Sequence, residues 1–214
     1  SGGLFSPDGR WLYLLVGHAL CRMEFAGDKP PEPLVGNPLK FGKDDAHFTN
    51  PMSLAGDADG RLYVADYDND RIQVFKPDGR LLRSIATRKP LRVFVHPKTG
   101  HLYVASWFYV TPQITDDVRL PAELRHLGPV DDPKTIATYP LQLASYSDKV
   151  FMNRTYAAHD LFVDCHTDPP MVWLVPGTAD SADKGMQQRR DYSKAQWSFS
   201  GWAACHYRLY AEQD

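Results

Sequence analysis

Cysteine and histidine stand next to each other at two places in the second half of the chain. Cys165 precedes His166 and Cys205 precedes His206, and His159 lies shortly before the first pair. Structural zinc sites use thiolate and imidazole ligands, so two such dipeptides could supply a four-ligand set. Adjacent strand residues point to opposite faces, so each dipeptide would have to lie in a turn. The alternatives are buried thiols beside surface imidazoles, or a disulfide between Cys165 and Cys205 under oxidising conditions.

Aspartate carboxylates are a second set that could bind a metal ion, because oxygen ligands suit calcium. The set does not recur regularly, since Asp164 lies one position before the place that corresponds to Asp66 in the repeat described below. Asp66 also fits a structural role in which it caps a turn by accepting backbone N–H groups. We predict no cofactor, and the alternative is a bound zinc or calcium ion. The carboxylates considered are Asp44, Asp45, Asp66, Asp116, Asp117 and Asp164.

One arginine and three aromatic residues form a candidate binding surface: Arg92, Trp107, Phe108 and Tyr109. Arginine and large aromatic side chains dominate binding hot spots, so this set points to a protein or small-molecule ligand. The alternative is that Trp107 and Tyr109 pack between structural repeats. The chain shows no nucleophile–histidine–acid arrangement, phosphate-binding loop or dinucleotide fingerprint, so the sequence leans away from an enzyme.

An internal repeat of about 40 residues positions these side chains. The segment 51–75, PMSLAGDADGRLYVADYDNDRIQVF, aligns without a gap with the segment 91–110, LRVFVHPKTGHLYVASWFYV. Weaker copies lie at 6–25 and 161–176. Self-similarity at this period is typical of repeat architectures such as propellers.

Each repeat has the pattern of a four-stranded antiparallel unit. In the best copy, the apolar run 52–55 precedes an Asp-Gly turn of the kind that tight hairpins need. The segment 62–65 is a β-rich second strand, and apolar residues alternate with a polar one over 72–75, as in a third strand. Four short strands every ~40 residues predict an all-β fold, a β-propeller built of four-stranded antiparallel blades.

The blade-like units differ in length, because the third carries extra material at 107–139. That insertion includes a short predicted helix at 122–127, and the third strand is expected to resume at 140–146. A smaller insertion at 29–47 separates the first two units. Insertions of this length are typical of functional or poorly ordered segments. The units lie near 3–28, 48–85, 88–146 and 155–176, and an irregular or partial blade follows at 177–214.

The segment 48–85 resembles an NHL repeat. It has a proline, a small apolar strand, Asp-Gly, LYVAD, a polar turn and RIQVF, in that order. The resemblance implies an NHL-type β-propeller, commonly with six blades. Propellers related to it include RNA- or protein-binding modules, sugar-lactone hydrolases and a peptidyl-hydroxyglycine lyase. In the lyase a zinc-binding histidine follows the proline of the inner strand, whereas this chain has Met52 and Leu91 there, which are not suitable zinc ligands.

Composition and charge bear on the partners and the compartment. The 24 Lys+Arg against 26 Asp+Glu give a net charge of −2, which argues against a nucleic-acid partner, since such proteins carry a basic excess. The apolar stretch 11–21 is far shorter than a bilayer span, so no membrane span is predicted. Three cysteines, Cys21, Cys165 and Cys205, leave the compartment open, and analogy with the family favours an extracellular or periplasmic location.

We therefore predict an NHL-type propeller that acts as a non-catalytic binding or scaffold module for a protein or small ligand. The alternatives are a metal-dependent propeller hydrolase or lyase, either lactonase-like or hydroxyglycine-lyase-like, and an RNA-binding NHL domain. With ~40 residues per blade, about four to five blades are visible in 214 residues. A propeller closes on itself to avoid open sheet edges, so this count predicts an incomplete ring, a segment of a longer propeller protein.

Overall fold

The described sheets are antiparallel meanders, in which each described strand pairs with the next described strand along the chain. The computed structural model describes residues 3–106, 123–141, 160–167, 169–175 and 205–208. Within these residues there are three four-stranded sheets and one three-stranded sheet. The four-stranded sheets belong to one compact unit and the three-stranded sheet to a second. The predicted all-β fold with four-stranded antiparallel blades is confirmed.

The first sheet corresponds to a weak copy of the repeat and begins with a very short strand. Its strands are β1 (Leu4–Phe5), β2 (Trp11–Val16), β3 (Ala19–Glu24) and β4 (Glu32–Gly36). Because β4 lies within 29–47, the predicted insertion is wrong for these five residues. β4 is an edge strand beside β3, and Pro33 is tolerated there because an edge position can lack an N–H donor.

The second sheet contains the best copy of the repeat. Its strands are β5 (Pro51–Gly56), β6 (Leu62–Asp66), β7 (Arg71–Phe75) and β8 (Leu81–Ala86). The hairpin turns contain glycine at positive φ, 75° at Gly60 and 87° at Gly79, as the Asp-Gly pattern predicts. A short 3₁₀ turn, Tyr67–Asn69, joins β6 to β7.

In the third sheet, the third strand lies at a different position from the one that the sequence predicts. Its strands are β9 (Pro90–Val95), β10 (Leu102–Ser106), β11 (Glu123–Leu127) and β12 (Thr135–Pro140). Residues 123–127 form a strand and not the predicted helix, so the third strand is β11 and not the segment 140–146. The reason is cross-strand pairing: Leu124 lies opposite Ala105 and is wholly buried, and such tertiary packing overrides helix propensity.

The three-stranded sheet lies in the second unit. Its strands are β13 (Asp160–Asp164), β14 (Met171–Val175) and β15 (Cys205–Arg208). The register places Leu161 opposite Leu174, and Leu174 opposite Cys205. In the part of the chain that the structure describes, no helix is long and apolar enough to cross a membrane.

The second strands of the two best repeats are buried on both faces. All five residues of β6 and all five of β10 are buried. One apolar cluster joins β6 and β7 to Tyr13, Leu20 and Phe48, and a second joins them to Val93 and Val104 of the third sheet. Fully burying an apolar side chain of this size stabilises the fold by about 1.5–3 kcal/mol. This two-sided burial explains why the repeated LYVA is apolar at every position.

Two histidines are in contact near the start of β10. His101 immediately precedes this strand, and His126 lies on the neighbouring strand β11. His101 Nδ1 and His126 Nε2 are 2.8 Å apart, and the ring of Tyr103 stacks on His126 with centroids 4.6 Å apart. Burial, together with the neighbouring His101 and His96, lowers the pKa of His126 to about 4. His126 is therefore neutral in the folded protein at pH 7.

We predict that His126 makes the protein less stable as the pH falls from 7.5 to 5. In the unfolded chain His126 gains a proton below its ordinary pKa of 6.5, but in the folded protein it does so only near 4. The unfolded state then binds more protons in this window, so acid favours unfolding. The shift corresponds to a loss of about 2 kcal/mol in the free energy of unfolding at pH 5. Urea denaturation at the two pH values measures this loss.

The control for this prediction is a histidine with an exposed side chain, His166. His126→Gln should remove most of the pH dependence between 7.5 and 5, whereas His166→Gln should leave it unchanged. The prediction is wrong if the His126 variant keeps the pH dependence of the unaltered protein.

Candidate functional site

Polar side chains converge at the end of β6, and Asp66 is at their centre. Asp66 is wholly buried. Its Oδ1 accepts the backbone N–H of Thr49 at 2.7 Å, and its Oδ2 accepts Asn69 Nδ2 at 2.7 Å and Arg71 Nε at 2.9 Å. We call Asp66, Asn69 and Arg71 the Asp66 clamp.

The turn between β6 and β7 brings the clamp residues together. Asp70 has a left-handed backbone conformation, with φ of 51°, and ends the 3₁₀ turn. The chain then returns as β7, and the register places Arg71 opposite Asp66. A carboxylate and a guanidinium at the two ends of one turn are therefore paired as a direct result of the hairpin geometry.

The Asp66 clamp holds the loop before β5 by its backbone carbonyl groups. Arg71 Nη2 donates to the carbonyl oxygens of Asp44 and His47 at 2.8 and 2.9 Å. Asn69 Nδ2 also donates to Gly42 O at 2.8 Å. Sequence analysis missed Asn69 and Arg71 as site residues, although the signal was present: they follow a buried aspartate at the end of an LYVAD strand.

Asp66 is occupied by groups of its own chain. A carboxylate has about four acceptor positions, and Thr49, Asn69 and Arg71 fill three of those of Asp66. Burial raises the pKa of Asp66 above its ordinary value, although the hydrogen bonds from the same three residues act to lower it. Asp66 does accept a backbone N–H group, as predicted, but the donor lies 17 residues earlier and not within the turn. A divalent cation at Asp66 would have to displace these bonds and lie beside the Arg71 guanidinium, so the residues present do not fit calcium or zinc there.

The neighbouring carboxylates of Asp44 and Asp45 contact other side chains. Asp44 and Asp45 are exposed, with Asp44 Oδ1 2.7 Å from His47 Nδ1 and Asp45 Oδ1 3.7 Å from Arg71 Nη1. Among the residues that the structure describes, no group of three or more His, Cys, Asp or Glu side chains could hold a metal ion. Two further carboxylates lie outside the described residues, Asp116 and Asp117.

Two large apolar side chains project from the same loop, just before the residues that the clamp holds. Leu39 is 93% exposed and Phe41 is 67% exposed. They belong to a tight turn, in which Asn37 Oδ1 accepts the N–H of Leu39 at 2.9 Å and Asn37 O accepts that of Lys40 at 3.1 Å. Pro38 fixes φ at the second position of this turn. We call residues 37–41 the apolar tip.

The apolar tip rests on the β2–β3 hairpin. The N–H of His18 donates to Pro38 O at 3.2 Å, and the rings of His18 and Phe41 meet edge to face with centroids 5.8 Å apart. Gly17 has φ of 56°, and a Cβ at this position would clash with the carbonyl of Pro38. The glycine therefore permits the close approach. An Asn-Pro dipeptide inside a Pro- and Gly-rich segment is a turn signal from which the tip could have been found.

The predicted Cys/His site is divided by the fold. Cys165 follows β13, is buried and carries a free thiol, and burial raises its pKa to about 11. His166 is exposed, so the two neighbours lie in different environments. The backbone N–H of His166 donates to Asp164 Oδ1 at 2.9 Å, which closes the turn after β13. His159 lies outside the described residues.

The second dipeptide, Cys205 with His206, lies on β15 in the same sheet. The strand residue next to Cys165 is Asp164, which lies in register with Arg208, three residues along β15 from Cys205. Two strand spacings and three residues correspond to roughly 14 Å. This separation is too great for a disulfide between the two cysteines or for one metal ion shared by both dipeptides.

Only Arg92 of the candidate binding surface belongs to the described residues. It lies on β9 opposite Ala105, and its Nη1 donates to Leu91 O at 3.1 Å. The other three members lie outside the described residues: Trp107, Phe108 and Tyr109. The surface that they would form with Arg92 stays a prediction.

Comparison with known families identifies the larger group to which these sheets belong. Residues 1–108, half of the chain, match the SMP-30/gluconolactonase/LRE-like region. The chain belongs to this family. The SMP-30/gluconolactonase/LRE-like family is a β-propeller family, which agrees with the repeat and with the blade-like sheets. No curated protein matches the chain in sequence.

Several solved structures are similar to this family member, and the one with a TM-score above 0.5 supports the fold. A chain of a nidogen/laminin complex is 18% identical with a TM-score of 0.51, over 82% of this chain and 56% of that chain. A luciferin-regenerating enzyme is 15% identical with a TM-score of 0.48, over 63% and 46% of the two chains. A calcium-binding regucalcin from Agrobacterium tumefaciens strain C58 is 17% identical with a TM-score of 0.40, over 52% and 39%. This chain therefore spans about half the length of these structures or less, and identities this low show the fold alone.

We predict that removing the Asp66 carboxylate strongly destabilises the protein. In Asp66→Ala, Arg71 loses its partner while its side chain remains only 11% exposed. Breaking a buried ion pair by removing one partner costs about 3–5 kcal/mol. The free energy of unfolding, measured by urea denaturation, should fall by this amount. The control is Asp44→Ala, which removes an exposed carboxylate of the same loop and should leave the free energy of unfolding unchanged. Equal effects of the two substitutions would refute the clamp.

Proposed function

We propose that this chain acts as a binding module for a protein or small ligand and not as a catalyst. The observation that carries the proposal is the joint arrangement of the Asp66 clamp and the apolar tip. The clamp binds the carbonyl of Gly42, next to Phe41, so that the tip presents Leu39 and Phe41 from an ordered backbone. A pre-ordered apolar side chain loses little conformational freedom when it meets a partner, which favours binding.

Other features support a binding role. The most buried carboxylate of the first unit fixes a loop instead of leaving its oxygen atoms accessible to a metal ion or a substrate. The pattern at 48–85 favours an NHL-type propeller within the broader family, and such repeats include protein-binding modules. The nidogen/laminin neighbour shows a propeller of this fold in a protein complex. The net charge of −2 opposes RNA as the ligand.

A metal-dependent hydrolase of the lactonase type is the second candidate. It is favoured by membership of a family whose description includes gluconolactonase. Such an activity needs a cation held by several oxygen or nitrogen ligands, with a position left open for water or substrate. Asp66 and its neighbours do not fit such a cation, so no catalytic step is assigned to them.

Lactone hydrolysis and metal content separate the two candidates. We expect the purified chain to bind far less than one equivalent of calcium or zinc. We also expect glucono-1,5-lactone to hydrolyse at the same rate with the protein as in buffer alone. Isothermal titration with each ion and a pH-indicator assay of the lactone measure these properties. One equivalent of tightly bound metal, together with lactone hydrolysis that a chelator abolishes, would replace the binding proposal with the hydrolase.

Selection of peptides tests the binding role directly. A random peptide library displayed on phage is selected on the unaltered chain and counter-selected on a Leu39→Asp, Phe41→Asp double variant. We expect enriched peptides whose affinity for the double variant is at least about tenfold lower, because an aspartate at either position would bury an unpaired charge under the peptide. Leu82→Asp is the control, since Leu82 is an exposed leucine on β8. Peptides that bind all three proteins equally, or a selection that enriches none, would count against a binding role for the tip.

A further inference from the structure

An open apolar cavity lies between the first and second sheets, at the end of β5 and β6 away from Asp66. Its volume is about 220 Å³. The lining consists mainly of apolar side chains from β1, the turn after it and the β5–β6 hairpin: Leu4, Phe5, Pro7, Tyr13, Ala58 and Leu62. A leucine or phenylalanine side chain is small enough to enter a space of this size. None of the residues assigned to the candidate site lines it.

Apolar surface continues from the cavity onto an exposed aromatic pair. Phe5 is 50% exposed and Phe25 is 57% exposed, and their rings meet edge to face with centroids 4.8 Å apart. Exposed aromatic rings beside a cavity are typical of surfaces that bind another molecule. The cavity and this pair thus form one continuous apolar surface.

Acidic side chains border the cavity. Asp57 and Arg61 line it and are paired at 2.6 Å, and Asp59 is 73% exposed beside them. Asp8 is exposed in the turn that contributes Pro7 to the lining. Three carboxylates against one guanidinium make the border negative by about two charges at neutral pH.

The apolar tip complements this surface in chemical character. Leu39 and Phe41 project into solvent, and Lys40 and Lys43 beside them are exposed. Lys40 lies between Leu39 and Phe41 within the tip, whereas Asp44 and Asp45 follow the tip and lie 2.7 Å from His47 Nδ1 and 3.7 Å from Arg71 Nη1. The tip thus offers a lysine between two apolar side chains to a cavity with a negative border, and charge complementarity of this kind helps to select partners in protein interfaces.

We propose that the apolar tip of one copy of this chain inserts into the cavity of a second copy. The proposal rests on the proposed function, because it names the partner of the same tip. The register places Asp66, next to the tip, opposite Pro51 at one end of β5, and Leu62, in the cavity, opposite Gly56 at the other end. The tip and the cavity of one copy therefore contact two different neighbouring copies, so the contact is head-to-tail. Each assembly then has a free tip at one end and a free cavity at the other. An interface of this small size is weak and depends on concentration.

Sedimentation equilibrium of the 214-residue chain over a wide concentration range tests the proposal. The unaltered chain should show an average mass that rises above the monomer and continues past the dimer. Leu39→Asp should lower the association constant at least about tenfold, since it removes the inserted side chain and its apolar contact. Ala58→Arg should do the same, since it fills the cavity mouth and repels Lys40. The matched control Leu82→Asp should associate as the unaltered chain does. Thermal melts confirm that each variant is folded.

Mixing the two defective variants gives the decisive result. Leu39→Asp keeps a working cavity and Ala58→Arg keeps a working tip, so their mixture should form a one-to-one heterodimer and nothing larger, although neither assembles alone. A mixture that stays monomeric, an unaltered chain that stops at a dimer, or an Ala58→Arg chain that associates normally would each overturn the proposal. If the unaltered chain is monomeric while selected peptides still require Leu39 and Phe41, self-association fails and the proposed function stands. If tip variants affect neither property, both fail.

Discussion

A buried carboxylate and a nearly buried guanidinium meet at the end of β6, and the loop before β5 has its form because of them. Taking two charges out of water costs several kcal/mol per ion, and a fold tolerates this only when both groups are fully hydrogen-bonded. Asp66 and Arg71 obtain the missing bonds from the backbone of the preceding loop, at Thr49, Asp44 and His47. The need to satisfy two buried charges thus orders this connection, together with the burial of Phe48 in the apolar core.

The sequence predicts the second sheet well but predicts β4 and β11 of the other sheets poorly, for a physical reason. LYVAD and the Asp-Gly turn before it satisfy two-sided burial and positive φ at once, so each signal supports the other. β11 has the sequence ELRHL, which contains good helix formers and no β-branched residue, and it is a strand only because β10 pairs with it. β4 contains Pro33, which a sheet accepts at an edge, but the strand order is not visible in a single sequence.

The candidate site could be predicted only as far as residue types allow. Asp66 stands out in the repeat, but whether it holds a metal ion or a loop depends on the donors that the fold brings to it, and Thr49 comes from 17 residues earlier. The turn of the apolar tip is predicted by the local residues Asn37 and Pro38. Its position beside the β2–β3 hairpin depends on Gly17, because a Cβ there would clash with the carbonyl of Pro38. Whether Asp66 has a structural or a chemical role therefore depends on which distant residues the fold brings close to it, and not on the local sequence pattern.

Pairing of consecutive strands also has a consequence for how the chain folds during synthesis. In the first two sheets short connections join the paired strands, so their hairpins can close without waiting for distant segments. One face of β6, however, is covered only when Val93 and Val104 of the third sheet arrive. Until then a nascent chain that ends before the third sheet exposes an apolar sheet face, and this interval is when it is most prone to aggregate or to need a chaperone.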